Sequence, residues 1–197
     1  IYDYIENVYA DREYRMHLIT NGVFSHETFK ILKEINIAVT ISCDWYPEIQ
    51  DKNRPLKDWN NSSIIVENNI KNFINAWLPL QVMVIITDQT VNKMWKIIKY
   101  FHSLWVTRIR IEPLISEWRA SYCSLNPPDW RIFADNFMNA IQLAKELGIT
   151  LTHSSLFYIA SPTYTFCSCG RWNNLTLLPD WRVALCHEIN AANEYQI

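Results

Sequence analysis

Residues Arg15 to Asp44 read RMHLITNGVFSHETFKILKEINIAVTISCD, and this stretch decides the fold. Arg15 to Thr20 is an extended run that stops at Asn21-Gly22, a turn dipeptide. Ser25 can cap the helix that follows, because its side-chain oxygen accepts from backbone N–H groups that have no partner in the first turn. Ser25 to Ile35 carries the helical period, and Ile37 to Ser42 is a β-branched strand. A strand, a helix and a strand in so short a span make a βαβ unit, whose strands lie parallel.

Outward from this unit the alternation continues. A polar loop with Pro47 and Pro55 leads to a helix over Ser63 to Ala76, apolar at 64, 65, 70, 73 and 74. Leu80 to Thr87 (LQVMVIIT) is a strand, and Val91 to Leu104 is a helix, apolar at 94, 97, 98 and 101. Thr107 to Ile111 is a strand ending at Glu112-Pro113, Pro128 to Leu147 a long helix, and Ile149 to His153 a short extended stretch. Four strand–helix units fit, which is half of an eight-unit barrel or most of a six-unit one. From Phe157 the helical period is lost. Asn174 to Leu178 and Arg182 to Leu185, parted by Pro179-Asp180-Trp181, predict a small hairpin. The expected fold class is α/β: a partial (β/α) TIM-like barrel over 1–154, then a small cysteine-bearing β-hairpin module over 155–197.

The composition, 49% hydrophobic and 19% charged, is that of a soluble globular protein. A net charge of -2 gives no reason to expect nucleic acid, and no apolar run reaches the roughly 20 residues that span a bilayer. The acidic, aromatic start Ile1-Tyr2-Asp3-Tyr4 is no signal peptide, and the missing initiator Met reads as a chain whose beginning is absent. Five cysteines are an odd count, and three of them, Cys167, Cys169 and Cys186, cluster late. That clustering fits a metal site in a reducing, cytoplasmic compartment better than a disulfide framework.

Nine Trp stand against three Gly. Two helices end at Asn36 and Gly148, residues that tolerate the left-handed conformation of a helix stop, but the two between them end at Trp77 and Trp105. Trp45, Trp59, Trp130 and Trp181 each follow an Asp, where Gly would make a turn dipeptide. We expect that UGA codons meaning glycine stand behind these tryptophans; the alternative is a Trp-rich protein that uses the rings for packing or binding.

Side chains of a barrel strand alternate between helices and lumen, and chemistry gathers at the C-terminal strand ends. On the second strand Ile37, Val39, Ile41 and Cys43 take the helix side, leaving Thr40, Ser42 and Asp44 for the lumen. On the fourth, Ile109 and Ile111 leave Arg108, Arg110 and Glu112. The first strand delivers Asn21 and the third Thr87. Such a set suits a polar ligand, although strand ends are often polar simply because they meet water. Cys167-x-Cys169 before the hairpin and Cys186 after it would bring three thiolates together for zinc or an iron–sulfur cluster. Cys43 and Cys123 read as packing and loop thiols, and His17, His26, His102 and His153 receive no role. The charged segment Pro47 to Asn61 can simply be solvated.

Leu18-Ile-Thr-Asn-Gly22, Ile41-Ser-Cys-Asp-Trp45 and Asp51-Lys-Asn-Arg54, in that order, resemble the radical S-adenosylmethionine enzymes, with a TNG-like third strand, an ISxDG-like fourth and a D-x-x-R segment. Cys167 or Cys169, then Trp181 in place of Gly, then Cys186 is similar to the opening of the SPASM or twitch extension, which holds an auxiliary iron–sulfur cluster. The resemblance implies the later half of a barrel and the start of that extension. It places Ser42 and Asp44 by the ribose or methionine end of S-adenosylmethionine, Arg54 at its carboxylate, and an auxiliary 4Fe-4S cluster on Cys186 with one or both of Cys167 and Cys169. Asn21, Arg110 and Glu112 join the expected cofactor-binding set. Relatives of this kind cleave S-adenosylmethionine reductively and abstract a hydrogen from a peptide or protein substrate, with a reductant such as ferredoxin or flavodoxin. The C-x3-C-x2-C motif of the catalytic cluster, the GGE-type motif and the later extension cysteines do not occur in this chain, so the enzyme reading concerns a longer parent, and the fragment alone is expected to be inactive. The competing reading is a non-catalytic peptide-binding barrel with one structural zinc or iron–sulfur site.

Overall fold

The computed structural model describes Asn7 and residues 16–115, 125–154, 156, 176–177 and 183–184. Its main sheet has five parallel strands in sequence order: β1 (His17–Thr20), β2 (Ala38–Ser42), β3 (Leu80–Ile86), β4 (Arg108–Pro113) and β5 (Thr150–Thr152). The connecting helices are α1 (His26–Glu34), α2 (Pro47–Asn53), α3 (Ser63–Asn75), α4 (Met94–Ser103) behind a 3-10 turn at Val91–Lys93, and α5 (Trp130–Glu146). Neighbours in sequence are neighbours in space, as in a partial, open TIM-like barrel. The chain divides into two compact units, Ile1–His153 and Ser154–Ile197. Within the second, β6 (Thr176–Leu177) pairs antiparallel with β7 (Val183–Ala184), where the sequence predicts a hairpin.

The strand parity follows from the sequence. Val39, Ile41, Val82, Val84, Ile86, Ile109 and Ile111 are buried under the helices, which supply Phe73, Ile97, Ile98 and Phe101 to the same layer. Each such side chain withdrawn from water contributes roughly 1.5–3 kcal/mol before chain entropy is charged against it. On the opposite face His17 Nε2 lies 2.8 Å from Thr40 Oγ1, Thr40 donates to Gln81 Oε1, and Gln81 donates to Thr152 Oγ1. That polar ladder crosses the sheet from β1 to β5.

Helix α1 starts as expected, with Ser25 Oγ accepting from the Thr28 N–H. Asp129 caps α5 by accepting from the N–H groups of Arg131 and Ile132, so Trp130 opens a helix and does not occupy an Asp-Gly-like turn. Pro47 to Asn61 is more than a solvated loop, since Pro47–Asn53 is helical with Pro at its first position, where its missing N–H costs nothing.

Candidate functional site

Four strand ends converge on one cleft. Asn21 follows β1, Asp44 follows β2, Thr87 follows β3 and Leu114 follows β4, and all four line a cavity of about 520 Å3. The segment after α2 closes one side with Asn53, Arg54, Leu56 and Lys57, while Val23, Ile85 and Leu125 give it apolar walls. A cavity of this size, lined half by polar and half by apolar residues, suits a small polar organic ligand.

Asp44 is the polar centre and is buried. Arg54 grips it in bidentate fashion, Nε donating to Oδ2 at 2.9 Å and Nη2 to Oδ1 at 3.1 Å. The Ile85 N–H donates to Oδ1 at 3.3 Å and Asn53 Nδ2 to Oδ2 at 3.4 Å. Charge-assisted forks of this kind fix direction as well as energy. Gln50, buried on α2, accepts from the Asp44 N–H at 2.8 Å and donates to Ser62 Oγ, which donates to the Arg54 carbonyl. Asp51 accepts from both the N–H and the hydroxyl of Ser63 at the start of α3. Residues 47–63 thus form a cross-braced wall of the cleft.

Gly22 sets the other wall. Its φ is +78°, and a Cβ there would meet Ile41 Cγ2 at 2.7 Å and Val66 Cγ1 at 3.2 Å. Its carbonyl accepts from Asn69 Nδ2 at 2.9 Å. The turn is tied to α3, and Asn21 is held at the cleft.

Of the residues singled out in the sequence, Asn21, Asp44, Arg54 and Thr87 share the cleft. Ser42 is buried one strand-face step below Asp44 and is not among the residues lining the cleft. Arg110 and Glu112 form their own pair, Nε to Oε1 at 2.7 Å, with His153 Nε2 3.5 Å from the other carboxylate oxygen. His153 packs against Phe133 and Phe137 of α5, so it has a structural place that its scattered position in the sequence hides. Gln50 and Lys57 also escaped sequence reasoning; the signal for the wall was Pro47 followed by Glu48, a helix start. Cys123, Cys167, Cys169 and Cys186 lie outside the described residues. Among the described residues no group of three or more His, Cys, Asp or Glu side chains could hold a metal ion, and no helix is long and apolar enough to cross a membrane.

Cys43 faces the helices, as strand parity requires, and donates weakly to the Trp45 carbonyl at 3.9 Å. Burial pushes its thiol up to about 12. Iodoacetamide at pH 8 is therefore expected to leave Cys43 unmodified in the native protein and to label it once urea is added; labelling at the rate of a free thiol would contradict the burial. The raised value also has a sign for stability. The thiol is protonated in both states below about pH 8.5, and from there towards 12 ionisation of the unfolded thiol progressively weakens the fold.

No protein-family model and no curated protein matches the chain. Solved structures do match. Native anSMEcpe, an anaerobic sulfatase-maturating enzyme, with bound AdoMet and Kp18Cys peptide aligns at 19% identity and a TM-score of 0.74, over 100% of this chain and 59% of that one. The same protein with AdoMet gives 20% and 0.74, over 95% and 54%; with AdoMet and Cp18Cys peptide it gives 16% and 0.73, over 98% and 57%. The chain thus spans a little over half of the length of these structures, and at such identities the likeness is one of fold. The five parallel strands with their helices are part of a barrel with the fold of the radical S-adenosylmethionine enzymes.

Proposed function

We propose that the chain is the ligand-holding part of a radical S-adenosylmethionine enzyme whose longer parent modifies a peptide or protein, with 1–154 as partial barrel and 155–197 as the start of a SPASM- or twitch-like extension. One observation carries this reading: Asn21, the Asp44–Arg54 pair and Thr87 meet at the strand mouths in one cleft, in a fold whose solved examples are described with AdoMet bound. The residues fit such a ligand. Asn21 offers hydrogen-bonding groups for ribose hydroxyls, and Leu56, Ile85, Leu114 and Leu125 offer apolar surface for a base. Arg54 commits Nε and Nη2 to Asp44, which leaves Nη1 for a ligand carboxylate. Asp44, with its own charge offset by Arg54, can accept from an ammonium or a hydroxyl. Cys167, Cys169 and Cys186 would hold the auxiliary 4Fe-4S cluster, a group that supplies electron transfer.

The test uses the longer parent, purified anaerobically with its clusters reconstituted. Saturable binding of S-adenosylmethionine is expected, with release of 5′-deoxyadenosine after dithionite reduction. Asn21→Ala is expected to weaken binding about tenfold, the worth of one good hydrogen bond to a charged or strongly polar partner. No saturable binding by the reconstituted parent would sink the proposal.

A further inference from the structure

The backbone at the tryptophans carries an inference that is independent of the ligand. Six of the nine Trp lie among the described residues, and four of them have positive φ: Trp45 (+89°), Trp59 (+63°), Trp77 (+56°) and Trp105 (+64°). A positive φ is found in only a few per cent of non-glycine residues, roughly, and a bulky side chain there is an outlier. Among the described residues the one other non-glycine case is Asn36, the residue type that tolerates this region best after glycine.

Trp77 and Trp105 can be compared with a real glycine in the same motif. The Gly148 N–H donates to the Lys145 carbonyl, and the Ile149 N–H reaches back to Ala144. The Trp77 N–H donates to Ile74 with Leu78 reaching Phe73, and the Trp105 N–H to His102 with Val106 reaching Phe101. All three are one helix stop, with the left-handed residue at the position glycine usually fills. Nothing repays Trp for the strain. Trp59, Trp77 and Trp105 are 84%, 94% and 80% exposed as residues, so their side chains gain little burial. Trp59 turns the chain between Leu56 and Asn60, directly after Asp58, whose carboxylate accepts from Asn60. Trp45 is buried, but its indole Nε1 has no hydrogen-bond partner, an expensive arrangement for a donor away from water.

We infer that positions 45, 59, 77 and 105 are glycine positions, and that the functional protein carries glycine there, read from UGA codons. Trp95 sits inside α4 and Trp130 at the start of α5, so neither shows this signature and the inference does not extend to them. One consequence concerns the cleft at the N-terminal ends of the strands, about 610 Å3, where Trp77 and Trp105 stand as aromatic walls. With glycine at both positions those walls are gone, so the cleft is no aromatic binding groove.

Two measurements test this. Peptides from the protein isolated from its source cells are expected to carry Gly at all four positions, opposite UGA in the gene; a UGG codon or a Trp-bearing peptide at any of them overturns the inference. In the full-length recombinant protein, Trp77→Gly and Trp105→Gly are each expected to raise the folded-to-unfolded ratio roughly five- to thirtyfold over Trp. Trp77→Ala and Trp105→Ala, which remove the ring but keep a Cβ, should recover little of that gain. If Ala matches Gly, the ring and not the backbone angle is the cause, and the inference fails.

Discussion

Replacing Asp44 with alanine is expected to give the largest loss of any single change in the cleft. Asp44 is 5% exposed and holds Arg54, Asn53 and the Ile85 N–H. Removing one partner of a buried pair leaves the other charge uncompensated, which costs about 3–5 kcal/mol in a dry interior. Arg54 is 28% exposed and can turn toward water, so we expect about 2–3 kcal/mol, read as a lower urea midpoint at unchanged m-value. The ligand effect should be of similar size, a loss of about a hundredfold in S-adenosylmethionine affinity, because the fork that aims Arg54 is gone. Arg54→Ala should cost about the same as Asp44→Ala, and the double variant little more than either. Additive losses in that cycle would show that the two side chains act separately.

Gly22→Ala should lower stability at least as much, without removing a ligand-facing group. Two penalties fall on it together. At φ +78° a Cβ is strained by about 1–2 kcal/mol, and the 2.7 Å approach to Ile41 Cγ2 forces a fully buried side chain of β2 to move, for about another 1–3 kcal/mol. The same substitution at Gly148 meets only the first penalty, since nothing lies within 4 Å of its would-be Cβ. Thermal unfolding should therefore rank Gly22→Ala well below Gly148→Ala, with the second about 1 kcal/mol from the native protein. Equal losses at the two sites would mean that Ile41 and Val66 yield freely, and that the turn is looser than its packing implies.

The parity of the strands was legible in the sequence because one face of a parallel sheet excludes water completely. Ile109 and Ile111 against Arg108 and Arg110 can be read in one way only, and the helices over 63–75, 94–103 and 130–146 show the same one-sided burial. The helix stops were legible too, since only a left-handed residue closes such an end, even with Trp written in its place. The wall of the cleft was not. Helix α2 is seven residues long and buries Gln50 alone, so it shows no apolar period, and its hold comes from hydrogen bonds made to residues far along the chain. Nor could the sequence say that Arg54 spends its fork on Asp44, because a separation of ten positions is silent about pairing until the turn between them is built.

The four reversals at Asn36, Trp77, Trp105 and Gly148 also divide the molecule into a fixed end and a variable one. From each of these residues to the next strand there are only one or two residues, whereas the described connections that leave β1, β2 and β3 run four or five residues to the next helical turn. One extra residue below a strand would rotate its pleat by half a period and send Asp44 or Arg110 into the helices. Length can change only at the other end, where the cleft opens. Diversity of ligand and partner in such a scaffold is accordingly written in loop length at the mouth, while the floor keeps count.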